Sequence, residues 1–80
     1  MVTQQQIYDG LTEIFRDLFD DDSITISAET TAADIDGWDS FNNLNLIAAA
    51  EELFGVKISA REIESLGSVG DLVAVIHQKG

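Results

Sequence analysis

Asp36-Gly37-Trp38-Asp39-Ser40-Phe41 runs without a break into Asn42–Phe54 and stops at Gly55-Val56. The spacing of apolar residues predicts a helix from about Ser40 to Phe54, with Gly55 placed to end it. The first turn of such a helix leaves backbone N–H groups unpaired and carries the positive end of the macrodipole. A phosphate-linked arm on Ser40 would therefore be stabilised where it stands. Taken singly, Ser40 or Asp39 reads as a plain N-cap. At about 100° per residue, Leu46, Ile47, Ala50, Leu53 and Phe54 gather on one face, the expected core side. Phe41, Leu44, Asn45, Ala48, Glu51 and Glu52 gather on the other. Two apolar side chains beside Ser40, with carboxylates further along, make the surface of a docking helix. Phe41 folded back on the preceding loop is an equal alternative, and Glu51 and Glu52 read by default as solvated.

Outward from this helix, the chain is helical on both sides. Thr3 with Gln6 forms a capping box, and Ile7, Leu11, Ile14, Phe15 and Leu18 follow at helical spacing, so a first helix is expected from about Gln4 to Phe19. Gly10 falls inside it at a cost of about 1 kcal/mol relative to Ala, which points to a close packing contact. Asp20-Asp21-Asp22 ends it, because carboxylates oppose the dipole at a C-terminus. A long loop then reaches Asp39, with Ile24 and Ile26 tucked inward, a brief turn within Thr30–Ile35, and Trp38 as a packing anchor. Ser59 with Glu62 opens a short helix through about Leu66. Ser68 with Asp71 opens the last, with Val69, Leu72, Val73 and Ile76 as its stripe. The expectation is all-α: one domain over residues 1–80, a small bundle of three main helices and one short one.

Composition narrows the function. Eighty residues suffice for one modest core and no large catalytic cleft. There is no cysteine, so no disulfide, thiolate metal site or thiol nucleophile. One histidine, His77, and no cysteine assemble no base and nucleophile set. The net charge is −11, and it is lopsided: residues 1–56 hold twelve acids against Arg16 alone, while residues 57–80 balance three acids with three bases. That field repels nucleic acid and anionic lipid and attracts basic protein surfaces. Met1-Val2-Thr3-Gln4-Gln5 has no basic flank or apolar stretch, so a cytoplasmic monomer without a membrane segment is expected.

The order of elements, with Asp39-Ser40 at the head of the second helix, resembles the acyl carrier protein family along essentially the whole chain. The likeness is strongest over Asp36–Phe41, over Glu51-Glu52-Leu53-Phe54-Gly55-Val56, and over Ile58–Ile76. It implies that Ser40 receives 4′-phosphopantetheine from coenzyme A through a separate, Mg²⁺-dependent phosphopantetheinyl transferase, with Asp39 as its motif neighbour. The arm's thiol, which this chain lacks, would carry acyl groups as thioesters between the enzymes of fatty acid, polyketide or related biosynthesis. The resemblance also implies that the acidic helix meets basic patches on acyl-transferring and condensing enzymes. The chain would be a carrier acted on by others, not an enzyme. It departs from the family in having Phe41 where Leu or Met is usual, and Asn42, Asn43 and Asn45 where acids are usual. Ala50 suggests room for an acyl chain between helices, unless a large neighbour fills it.

Two other classes compete. A calcium loop would need alternating acids, Gly at position six and Glu at twelve. Counting from Asp34 puts Asp39 at six and Asn45 at twelve, and counting from Asp20 puts Thr25 at six, so neither register fits and no metal site is expected. The other rival is a small acidic helical interaction domain without a prosthetic group, docking directly through Phe41 and Leu44.

Overall fold

The computed structural model describes residues 3–79, so Met1, Val2 and Gly80, at the ends of the expected domain and leader reading, lie outside it. Its helices are α1 (Gln4–Leu18), α2 (Ser40–Phe54), α3 (Ala60–Glu64) and α4 (Val69–Lys79), with one 3₁₀ turn at Ala32–Asp34. No strand occurs among the described residues, as the periodicity predicts.

Helix α1 begins with the expected reciprocal cap. The Gln6 N–H donates to Thr3 Oγ1 at 3.1 Å, and the Thr3 N–H donates to Gln6 Oε1 at 2.9 Å. Ile7, Leu11 and Phe15 are fully buried against Leu46, Ile47 and Ala50 of α2 and Val69, Leu72, Val73 and Ile76 of α4. Each such side chain contributes about 1.5–3 kcal/mol relative to exposure. Gly10 is the close contact its position suggested, since a Cβ there would lie 2.8 Å from Phe54 Cζ and 3.0 Å from Leu53 Cδ2. One face assignment is corrected. Leu53, expected in the core, is 55 % exposed, because it lies at the rim of the α1–α2 contact while Phe54 turns inward.

The long loop is pinned at both ends. Asp20 takes a left-handed backbone (φ 52°) and the chain reverses as the Asp21 N–H donates to Arg16 O at 3.0 Å. Arg16 Nε donates to Ile24 O at 3.0 Å, holding the next segment against α1. Asp21 Oδ1 accepts both the Ser23 hydroxyl and its N–H, which lowers the Asp21 pKa. Ile24 and Ile26 tuck inward as expected, and Ile35 is buried. Further along, the first N–H groups of α4 are satisfied by loop carbonyls: Val69 N–H to Thr30 O at 2.8 Å and Gly70 N–H to Ala28 O at 3.0 Å.

The closing segment departs from expectation twice. Helix α3 stops at Glu64 rather than Leu66, because Ser65 turns its hydroxyl and its N–H back onto Glu62 O. The cap of α4 is not the reciprocal box of Ser68 and Asp71. Asp71 Oδ2 instead accepts the Gly67 N–H at 2.9 Å, one residue further back, and the Asp71 N–H to Ser68 Oγ contact is long at 3.4 Å. Ser59 and Glu62 do form their box, and Lys79 Nζ lies 3.1 Å from Glu62 Oε1, joining the end of α4 to α3. No helix among the described residues is long and apolar enough to cross a membrane.

Candidate functional site

Ser40 is the first residue of α2, and Asp39 is its N-cap. The Asp39 side chain accepts the Asn42 N–H at 2.8 Å, and its carbonyl accepts the Asn43 N–H, also at 2.8 Å. The ambiguity between two possible caps is thereby resolved: Asp39 does the capping. Among the described residues, Ser40 Oγ has no hydrogen-bond partner and the residue is exposed. The N–H groups of Ser40 and Phe41 also stand without protein partners at the positive end of the helix. An exposed hydroxyl beside two free N–H donors fits a phosphodiester.

Three neighbours fix the approach to Ser40. Gly37 adopts φ 87°, a region that a side chain would strain. Asn42 Nδ2 donates to Gly37 O at 2.6 Å, so α2 reaches back to clasp the turn that leads into it. The Trp38 Nε1–H donates to Asn43 Oδ1 at 3.0 Å, while the indole ring meets Phe15 edge-on with centroids 5.0 Å apart. Trp38 is the packing anchor the sequence suggested. The two asparagines escaped the sequence reading as structural parts. Their only signal was their position, two and three residues after Ser40, within reach of the preceding turn.

Beside Ser40 lies a cleft of about 300 Å³. It is lined by Trp38, Asp39, Ser40 and Asn43 around the head of α2, with Ala32 of the 3₁₀ turn, and by Leu66, Gly67, Ser68 and Leu72 from the end of α3 into α4. Ala50 does not line it and is itself fully buried in the core.

The outward face of α2 divides. Phe41 is 72 % exposed and Leu44 is 59 % exposed, so Phe41 does not fold back on the loop. Asn45, Ala48 and Glu52 are exposed with them. Glu51 is half-buried and its Oε2 accepts the Ile58 N–H at 2.8 Å, so this carboxylate braces the segment after α2. Three acids of the loop are similarly engaged in local turns: Asp21 with Ser23, Glu29 with the Ser27 hydroxyl, and Asp34, whose Oδ2 accepts the Thr31 N–H at 2.9 Å.

Comparison with known proteins agrees with this geometry. Residues 9–76 match the family model described as "Phosphopantetheine attachment site". The acyl carrier protein of Kineococcus radiotolerans is 32 % identical over 78 residues, covering 98 % of this chain and 96 % of that protein. The meromycolate extension acyl carrier protein of Mycobacterium tuberculosis is 31 % identical over 77 residues, covering 96 % of this chain and 67 % of that protein. Among solved structures, the holo acyl carrier protein of Geobacter metallireducens superposes with a TM-score of 0.85 at 45 % identity, over 91 % of this chain and 84 % of that one. A helical bundle headed by a free serine, matched in sequence and in shape along nearly all its length, belongs to the acyl carrier protein family and is a carrier of acyl groups on a covalent 4′-phosphopantetheine.

Proposed function

We propose that Ser40 is the attachment residue and that residues 1–80 form one carrier domain with no catalytic activity of its own. The observation that carries the assignment is the division of labour at the head of α2. Asp39 makes both capping bonds, which leaves the Ser40 hydroxyl exposed and uncommitted. In the loading step, a bond forms from Ser40 Oγ to the pantetheine-bearing phosphorus of coenzyme A as the diphosphate P–O bond to the adenosine half breaks, and 3′,5′-ADP leaves. The hydroxyl proton leaves to a base on the transferase. Once attached, the arm supplies the thiol that this cysteine-free chain lacks. The chain's own residues hold the serine in place: Asp39 caps, Asn42 clasps Gly37, and the free N–H groups of Ser40 and Phe41 face the phosphodiester charge.

The partner surface is the outer face of α2: Phe41 and Leu44 as the apolar centre, Asn45 and Ala48 as a flat surround, and Glu52 as the acid free to meet a basic patch. Glu51 adds charge to this field, although one of its oxygens is engaged by Ile58. A phosphopantetheinyl transferase and acyl-transferring or condensing enzymes of fatty acid or related biosynthesis are the partners this surface suits. The self-repelling charge of −11 supports a monomer, and dependence on coenzyme A supports a cytoplasmic site of action.

The test is intact-protein mass spectrometry after incubation with coenzyme A, Mg²⁺ and a broad-specificity transferase. The expected result is a gain of one phosphopantetheine that disappears in Ser40→Ala. A gain that persists in Ser40→Ala would overturn the assignment. No gain in a folded protein would favour an armless docking domain.

A further inference from the structure

We propose that a groove between residues 19–25 and 34–36 receives an arginine side chain from a partner protein's basic surface, a docking point apart from α2 that rests on the carrier reading above. The groove has a volume of about 450 Å³ and shares no lining residue with the cleft beside Ser40. Ile35 is buried and Phe19 and Ile24 are half-buried, so these three form its apolar inner part. Asp21, Asp34 and Asp36 also line it and are exposed, which puts the carboxylates at its mouth. Ser23 and Thr25 complete the lining, so no lining residue carries a positive charge.

The carboxylates keep acceptor capacity at this mouth. Asp21 uses Oδ1 for Ser23 and Asp34 uses Oδ2 for Thr31, which leaves one oxygen of each free, and Asp36 accepts no hydrogen bond among the described residues. Arg16, the only base in residues 1–56, spends its Nε on Ile24 O and draws on Asp21, so Asp34 and Asp36 stay unbalanced. Charge therefore selects a cation, and the apolar interior selects one on a long hydrocarbon stem. Arginine meets both demands: its methylenes cover Ile24 and Ile35, and its planar, weakly hydrated guanidinium stacks on a ring such as Phe19 while donating to separated carboxylates. A lysine head is compact and strongly hydrated, and a bare metal ion has no use for the interior. Among the described residues, moreover, no group of three or more acidic or histidine side chains is placed to hold a metal ion. Asp36 stands four residues before Ser40, whereas Phe41 and Leu44 follow it. A partner seated on those two alone could still turn about that apolar centre; an arginine held in the groove fixes the angle at which the serine is presented.

The experiment uses the full apo chain, so its result is independent of whether Ser40 loads, which the mass-gain assay decides separately. Two-dimensional NMR follows the Phe19 ring, the Ile24 and Ile35 methyl groups and the Asp36 amide during titration with N-acetyl-arginine methylamide at constant ionic strength. The same derivatives of lysine and of uncharged citrulline are the comparisons. The expected result is saturable shifts concentrated on these groups, tighter for arginine than for lysine and absent with citrulline. Asp36→Asn should weaken arginine binding by about two- to fivefold, the range for one exposed charge contact. Asp22→Asn removes the same charge from an exposed acid outside the groove and should leave binding unchanged. Neither side chain makes a hydrogen bond among the described residues, so both variants should fold. Equal weakening by the two variants would reduce the effect to the general acidic field and overturn the proposal. So would equal affinity for lysine, or shifts spread evenly over the acidic surface. Displacement of arginine by Mg²⁺ that saturates the same signals would make the groove a metal site, and movement of those signals with protein concentration alone would seat a second copy there; either result overturns the proposal.

Discussion

Gly70 offers a sharp test of how the long loop is held. It sits in the first turn of α4, where its N–H donates to Ala28 O, and a Cβ built on it would lie 2.7 Å from that same oxygen, 3.1 Å from Ala28 Cβ and 3.2 Å from Ala28 Cα. Propensity alone says that Gly70→Ala should stabilise α4 by about 1 kcal/mol. The structure says otherwise, because the obstacle is backbone that cannot rotate aside. Relief requires the 28–30 segment to back away, which breaks the Gly70–Ala28 bond and strains the neighbouring Val69–Thr30 bond of 2.8 Å. Two backbone bonds at about 1 kcal/mol each, with about 1 kcal/mol of residual crowding, outweigh the propensity gain and leave a net loss of about 2 kcal/mol. In a domain of this size that lowers Tm by about 8–16 °C. Gly10→Ala is the control. Its Cβ would also be tight, but against Phe54 Cζ and Leu53 Cδ2, the outer ends of side chains of which Leu53 is exposed, so propensity and repacking should roughly cancel. Urea unfolding monitored by circular dichroism gives both values. A Gly70→Ala protein as stable as its parent, or a Gly10→Ala loss as large as that of Gly70→Ala, would refute the reasoning.

Other consequences follow from the same contacts. Phe41→Ala should leave the urea midpoint unchanged within about 0.5 kcal/mol, the usual range for exposed positions, while weakening transfer of the arm in a loading assay. Trp38→Phe keeps a ring against Phe15 but leaves Asn43 Oδ1 without its donor, and should cost about 1 kcal/mol in the same unfolding assay. The Ser59 backbone N–H, followed by Lys79, holds the Glu62 pKa below its ordinary 4.5. The folded state therefore gains stability from Glu62 ionisation above that value and loses it as pH falls through and below it. The stability difference between the parent and Glu62→Gln should accordingly shrink on acidification below about pH 4.5, as read from urea midpoints across pH. With a net charge of −11 and a radius of gyration of 11.3 Å, most acids lie within two Debye lengths of one another at 0.1 M salt, where that length is about 10 Å. The urea midpoint should rise from low to moderate salt.

What was legible in the sequence followed from periodicity and capping chemistry, both of which act over a few residues. Thr3 with Gln6, Ser59 with Glu62, and Asp39 ahead of Ser40 declared three helix starts, and the apolar stripes of α1 and α4 declared their buried faces. Helix α2 was harder because apolar residues surround it: Leu46 and Ile47 are buried while Phe41, Leu44 and Leu53 are not, so a wheel drawn at 100° misplaces a rim residue such as Leu53. Contacts between elements left no local mark. The Ile58 N–H on Glu51 and the Ala28 carbonyl on Gly70 depend on where loops return, which spacing does not encode. At the candidate site, the place of Ser40 as the first residue of α2 was legible through its flanking residues. Asn42 and Asn43 were not, because an asparagine after a helix start reads as polar surface until the preceding turn is seen within its reach.

The positions of those asparagines bear on what amides, rather than carboxylates, do at the start of α2. A carboxylate at position 42 or 43 would favour the helix dipole, contributing about 0.3–1 kcal/mol. It would also be acceptor-only, unable to donate to Gly37 O as Asn42 does at 2.6 Å. Moreover, it would place a second negative charge beside the phosphodiester expected on Ser40. The amides give up the dipole term and gain a clasp on the Gly37–Trp38 turn, while on the proposed reading the charge that attracts partners lies further along, at Glu52, and across the loop acids. Under the proposed assignment, orientation of the serine is separated from long-range attraction: one is done by neutral hydrogen bonds within a turn of Ser40, and the other by carboxylates a helix length or a loop away. Removing the clasp should therefore slow loading of the arm through misplacement of the hydroxyl, with little change in its salt dependence, whereas neutralising Glu52 should do the reverse.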